Sequence, residues 1–264
     1  MVTSSPAPGS GRFWLRWSWR DLRSRWVAVI AIALVLAIGT GVYAGLGSTA
    51  EWRRQSNDAS FAVLSMHDLR VTLSPGTFVD QNLLLTVVRS IDGASDVDAV
   101  AERLVVDSQV DTGGAGSVLV PARLVGMTFG SDQPVDDVWV RDGTAPLGFE
   151  RDELVGVLEA KFADDRGLPD TGSIVIAGGR SVAYTGLGVA PEDFYYEGPE
   201  GTIFAQGELA IVYLPLESAQ AISGRSEAVN DLVLTLTEDA DRDAIEAQLD
   251  SAISDLGLSA TVSN

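Results

Sequence analysis

A chain of 264 residues, 46% hydrophobic and 21% charged, is long enough for one large domain or two modest ones with real cores. Residues 1–50 hold five arginines and one acid, which leaves 13 basic and 36 acidic residues in 51–264, a net charge of −23. That charge argues against nucleic acid or anionic lipid as a partner of this part, and the lack of any cysteine excludes a disulfide framework, a Cys–zinc site and a thiol nucleophile.

Residues 1–11 are rich in Pro, Gly and Ser, a composition that need not order. From Arg12 to Arg25, Leu15, Trp19, Leu22 and Trp26 form an apolar stripe at helical spacing, flanked by Arg12, Arg16, Arg20 and Arg23. That pattern suits a helix lying on an anionic cytoplasmic leaflet, or simply a basic flank that sets topology. Residues 26–50 contain no charge and show no polar stripe. A bilayer core needs about 20 apolar residues in a helix, so this run predicts one transmembrane helix. Trp14, Trp17, Trp19, Trp26 and Trp52 cluster around its ends, where indole rings favour the interface.

Five arginines precede the span and only Arg53 and Arg54 follow closely, so the N-terminus is expected in the cytoplasm and the remainder outside it. Ser48-Thr49-Ala50 resembles a signal-cleavage site. A signal h-region of about 7–15 residues is much shorter than this run, however, and the length favours a retained anchor.

Beyond the span, 51–62 reads as a polar continuation of the same helix. A strand at 69–73, a helix at 78–91 and a strand at 97–110 follow. Asp111-Thr-Gly-Gly-Ala-Gly116 is a turn into a strand at 117–128. A helix is predicted at 151–166, and Gly178-Gly179 is a two-residue hairpin turn between strands 174–177 and 180–184. Then come a strand at 208–214, a short helix at 215–223, a strand at 231–237, a helix at 240–256 and a strand at 258–262. The fold class is therefore α+β: one N-terminal transmembrane helix, then a mixed α/β extracytoplasmic domain. Its two strand–helix–strand units, 61–112 and 226–264, flank an inserted β-rich subdomain at 113–225. The domain plan is 1–25 tail and interfacial helix, 26–50 span, and 51–264 outer domain.

The search for chemistry finds little. Gly39, Gly41 and Gly45 lie inside the span, without the preceding strand that a dinucleotide fingerprint requires. Gly41-xxx-Gly45 instead offers a small-residue face for membrane-helix packing. Asp239, Asp241 and Asp243 mimic a calcium loop, but its sixth position is Ala244 and its twelfth Asp250, where Gly and Glu are needed. Acids there also suit the first turn of a helix. His67, the single histidine, precedes Asp68, yet no G-x-S-x-G elbow occurs, so a structural hydrogen-bonding role is expected. The single lysine, Lys161, follows Ala160, so there is no phosphate-binding loop. No catalytic residue, metal or cofactor is assigned.

Arg20-Asp-Leu-Arg23, Gly39-Thr-Gly41, Tyr43-Ala-Gly-Leu-Gly-Ser48, Trp52-Arg53, Ser56-Asn-Asp-Ala-Ser60 and His67-Asp-Leu-Arg-Val71 together resemble the N-terminal part of FtsX-like, MacB-like permeases of ABC transporters. The similarity runs from about residue 18 onward. It implies an extracytoplasmic core of two strand–helix–strand units with an inserted subdomain, a separate ATPase subunit, and a partner in further permease helices or a second permease copy. ATP-driven closure of the ATPase pair would move the membrane helices and, through them, the outer domain. Family members carry further membrane helices after this domain, whereas residues to Asn264 hold none. The chain is expected to be the opening part of a longer permease, or a truncated one, and not to transport alone. Two other classes stay open, a single-pass sensor or interaction protein and a membrane-anchored hydrolase. Continuation of the reading frame into further spans would distinguish the permease from the sensor.

Overall fold

The computed structural model describes residues 10–113, 119–130, 134–146, 148, 154–194 and 207–263, with side chains at 17–45 and from 61 onward within these. Two compact units emerge, Met1–Ala59 and Ser60–Asn264.

In the first unit, α1 (Ser10–Ser24) leads into α2 (Trp26–Val63). The helical bonding carries on across Arg25, with Arg25 N donating to Asp21 O and Val29 N to Arg25 O, both 3.1 Å. Within α2, Trp26–Gly45 is long and apolar enough to cross a membrane. Its side chains are exposed, only Val29 being partly covered, so this run is not a buried core helix. Thr40 Oγ1 donates back to Leu36 O at 2.7 Å, so its hydroxyl is satisfied within the helix. The side chains of Arg12, Leu15, Arg16 and Trp52 lie outside the described ones.

The second unit is mixed α/β. Its strands β1 (Leu69–Leu73), β3 (Val97–Asp111), β11 (Asp231–Leu236) and β12 (Ala260–Ser263) stand in the order β12-β1-β11-β3, all neighbours antiparallel. Helix α3 (Leu83–Ser90) connects β1 toward β3, and α6 (Arg242–Asp255) connects β11 to β12. This is a split βαβ arrangement in which each unit interleaves a strand of the other. Strand alternation explains the layering: Leu69, Val71, Leu73, Leu232 and Leu234 share the core with Leu84, Val87 and Val88 of α3 and Ile245, Leu249 and Ile253 of α6. Each fully buried leucine contributes about 1.5–3 kcal/mol. Glu102 of β3 caps α3, its carboxylate accepting from Asn82 N at 2.6 Å and Leu85 N at 3.1 Å.

The far half of β3 enters a second structure. It pairs with β4 (Leu119–Met127), and β4 pairs in parallel with β9 (Ala210–Pro215). From β9 the pairing passes to β6 (Val155–Glu159), then β8 (Arg180–Val189), then β7 (Gly172–Ile176), which returns to β3. These six strands close on themselves as a small barrel. Val110, Leu124, Leu158, Ile174, Val182 and Val212 are among the buried residues that fill it. Closure leaves few strand edges unpaired. β5 (Trp139–Gly143) hangs on β8 at one border of the sheet, and β2 (Val79–Asp80) pairs with β10 (Ala228–Val229).

Several expectations change here. The helix expected at 151–166 is β6 followed by α4 (Ala160–Arg166), residues 151–153 lying outside the described ones. β6 sits between β8 and β9, and from Gly156 to Glu159 it is buried on both faces, so it lacks the alternation that marks a half-exposed strand. The helix expected at 78–91 shortens to α3, because β2 and the left-handed Asn82, φ 73°, precede it. The Gly178-Gly179 turn is a three-residue loop, 177–179, since Ile176 pairs with Arg180; both glycines have positive φ, 89° and 76°. Residues 114–116 of the Asp111–Gly116 turn, and 117–118 of the strand expected after it, lie outside the described ones.

Helix α5 (Leu216–Ser223) crosses β4 at Gly126. A Cβ on Gly126 would collide with the Ala219 Cβ and stand 3.4 Å from Leu216 Cα and Leu104 O. Gly126→Leu is expected to destabilise the unit by about 1–3 kcal/mol or more through overpacking, read as a lowered urea midpoint, whereas Gly224→Ala at the end of α5 meets no atom within 4 Å and costs only the strain of its left-handed backbone, about 1–2 kcal/mol.

Candidate functional site

Charges gather on the sheet face opposite α3 and α6. Register puts them there: Asp231 of β11 lies directly across from Arg103 of β3 on one side and Thr72 of β1 on the other. Arg70, two residues before Thr72, shares that face. Arg103 is 1% exposed and Asp231 fully buried.

Arg103 is the hub. Its Nε donates to Asp231 Oδ1 at 2.7 Å, and its Nη2 stands 2.6 Å from the same oxygen. Its Nη1 donates to Glu192 Oε1 at 2.7 Å and to Asp136 Oδ2 at 3.0 Å. Arg70 reinforces the set, donating from Nε to Asp231 Oδ2 at 2.8 Å and from Nη1 to Glu192 Oε2 at 2.9 Å. Thr72 Oγ1 donates to Asp231 Oδ2 at 3.0 Å. Glu192 comes from a short 3-10 turn (Pro191–Phe194) just after β8, and Asp136 from the loop before β5.

His67 completes the network from the segment that follows α2. Its Nδ1 lies 2.7 Å from Asp136 Oδ2, and its backbone N–H donates to Asp136 Oδ1 at 2.9 Å. The same segment is fastened by its main chain, with Asp136 N donating to Ser65 O at 2.8 Å and Asp137 N to Leu64 O at 2.9 Å. Ser65 and Asp136 both hold left-handed backbone, φ 50° and 54°, a conformation that the surrounding bonds must maintain.

The electrostatics follow from burial and pairing. Burial pushes the Asp231 carboxyl up, but the Arg103 and Arg70 charges and their hydrogen bonds overcome it and hold the group down to about 2. Asp136 is likewise opposed by burial and brought below its ordinary value by the His67 hydrogen bond and the Arg103 charge. Burial works against the Arg103 charge too, and Asp231, Glu192 and Asp136 outweigh it, so the guanidinium is held charged.

His67, Asp136 and Glu192 have ligand-type atoms within 4.8 Å of one another, the residue set that could hold a divalent cation. The Arg103 guanidinium already bridges Asp136 and Glu192 there, so the cation at this place is the protein's own. Every carboxylate oxygen of Asp136, Asp231 and Glu192 accepts a hydrogen bond. Carboxylates paired in this way fasten chain segments together.

The other sequence candidates lie elsewhere. Gly39, Gly41 and Gly45 lie on α2, where an added Cβ would meet nothing within 4 Å. Asp241 caps α6, its Oδ1 accepting from Ala244 N at 3.1 Å, and Asp250 lies within the helix. The twelve-residue calcium loop is therefore absent, its last nine positions being helical. Calcium, with or without chelator, is expected to leave the melting temperature of residues 60–264 unchanged. Asp68 accepts from Leu236 N and Arg242 Nη2, both 2.8 Å, and so fixes the β11–α6 corner rather than assisting His67. Sequence reasoning singled out His67 but missed Arg103, Asp136, Glu192 and Asp231. The one available signal was Asp231, an acid opening the apolar run Leu232–Leu234.

Neither a protein-family model nor a curated protein matches the sequence. Among solved structures, the chain is similar to the extracellular domain of the noncanonic ABC-type transporter YknZ from Gram-positive bacteria. The identity is 15% over 74% of this chain and 99% of that one, with a TM-score of 0.45. It is also similar to the periplasmic region of MacB from Actinobacillus actinomycetemcomitans, at 12% identity over 77% of this chain and 91% of that one, with a TM-score of 0.48.

Proposed function

We propose that this chain is the first membrane helix and the outer domain of an FtsX-like ABC permease. The order of motifs carries the reading: Arg20-Asp-Leu-Arg23 before the span, Gly39-Thr-Gly41 and Tyr43–Ser48 within it, and His67-Asp-Leu-Arg-Val71 where the outer domain begins. The basic flank keeps the N-terminus in the cytoplasm, and the acidic remainder stands outside. A separate ATPase subunit supplies the energy. Its closure moves the membrane helices, and the outer domain receives that movement and acts on a substrate outside the bilayer. The committed carboxylates of the buried network fit this role, since a domain that only transmits movement needs no free acid or base.

The test is purification of the native complex from membranes through an N-terminal tag. An ABC ATPase subunit is expected to co-purify, and the tag is expected to resist protease in intact cells. A complex without any ATPase, whose outer domain captures a soluble ligand, would replace the permease by the single-pass sensor.

Gly41 and Gly45 lie one turn apart on α2 and are proposed to pack against other membrane helices, because glycine permits the close backbone approach on which association in lipid depends. The double substitution Gly41→Leu and Gly45→Leu is expected to preserve insertion, since leucine inserts well, while lowering recovery of the assembled complex. Undiminished crosslinking to the partner helices would show that these glycines face lipid.

A further inference from the structure

The network around Arg103 joins three parts of the outer unit that are far apart in sequence. His67 comes from the segment after α2; Arg70, Thr72, Arg103 and Asp231 come from the split βαβ sheet; Asp136 and Glu192 come from connections flanking β5 and β8. We infer that this network is a clasp by which the position of residues 64–67 sets the arrangement of the 191–194 turn and of β11. The inference rests on the permease reading and deepens it, for it names the route by which displacement of the chain leaving the membrane reaches the barrel.

Two properties make the clasp two-state rather than elastic. Asp136 cannot leave Arg103 without leaving a nearly buried guanidinium short of one partner, and such a group repairs its pairing by moving its neighbours. The backbone bonds from Asp136 and Asp137 to Ser65 and Leu64 move Asp136 together with the segment. Ser65 and Asp136, both held left-handed, can relax only if those bonds open together. Packed elements of this kind switch between discrete arrangements. His67 acts here as a positioning residue: it fixes Asp136, and Asp136 in turn fixes Arg103.

Hydrogen exchange on the full chain in lipid nanodiscs tests this without involving any ATPase, so its failure is distinct from failure of the permease reading. In His67→Ala, peptides at 134–138 are expected to exchange faster. Peptides at 186–194 and 228–234 should also exchange faster, by about tenfold. His67→Gln, which keeps a donor toward Asp136, restores the protection. Asp68→Asn, beside His67 but bonded to Leu236 and Arg242, leaves 186–194 unchanged. Acceleration confined to 134–138 overturns the clasp. Should His67→Ala unfold, Glu192→Gln gives the reciprocal reading: faster exchange at 61–68 supports the clasp, and unchanged exchange there overturns it.

Discussion

Replacing Arg103 with methionine is expected to destabilise the second unit by about 3–5 kcal/mol, the cost of breaking a buried charge set by removing one partner. Asp231 and Asp136 have fully buried side chains and Glu192 a mostly buried one, and among the described residues they would keep Arg70, His67 and Thr72 as side-chain partners. Total stabilities run to about 5–15 kcal/mol, so the variant should lose a large share of its stability. For a unit of this size the loss corresponds to roughly 6–20 °C in melting temperature. Urea unfolding of residues 60–264 measures it directly. Arg103→Met combined with Asp231→Leu is expected to cost less than the sum of the single changes, because the second removes a charge that the first has stranded. A loss below about 1 kcal/mol for Arg103→Met, the usual worth of an exposed pair, would mean that water compensates the carboxylates.

Acid should act on the same residues. The Asp231 carboxyl is held down to about 2 in the folded chain, against about 3.9 for a free aspartate. A carboxyl depressed on folding contributes stability that is fully present above the unfolded value and is lost as the pH falls through the folded one. The window is therefore from about pH 4 down to about pH 2, and Asp231 alone accounts for roughly 2–3 kcal/mol within it. Asp136 is depressed in the same direction and adds to the slope. Urea midpoints measured from pH 6 to pH 2.5 should therefore fall more steeply for the native sequence than for Asp231→Asn. The variant starts less stable at neutral pH but has no depressed carboxyl to lose at that position. Parallel curves for the two proteins would remove Asp231 from the acid response.

Much of the architecture could be read from residue patterns because local rules agreed with the final structure. An uncharged run at 26–50 reads as one helix, and paired glycines at 178 and 179 read as a sharp reversal. Alternation at 69–73 and the apolar run at 232–234 give strands, and Leu69, Val71, Leu73, Leu232 and Leu234 share the core with α3 and α6. The pattern failed where burial is two-sided. Gly156, Val157 and Leu158 are buried on both faces, so their hydrophobicity has no period, and the helix-favouring residues that follow them extended the wrong element. Trp139 and β5 were missed because that strand is short and borders the sheet. The buried network was nearly invisible for another reason. Arg103 sits between Glu102 and Leu104 like any surface arginine at a polar strand position. Its burial is decided by Asp231, Asp136 and Glu192, 128, 33 and 89 residues away, which no window along the chain brings together.

The interleaving of β1 has a consequence for the order of events during synthesis. Among the described strands β1 pairs with β11 and β12, so residues 69–73 are synthesised more than 150 residues ahead of either partner. At roughly 5–20 residues per second, that segment waits about ten to thirty seconds as an unpaired apolar strand, while the barrel strands between are still being delivered. Pairings of such long sequence separation also form slowly. The nascent domain therefore passes through a period in which both edges of its first strand are open, a template for wrong pairings.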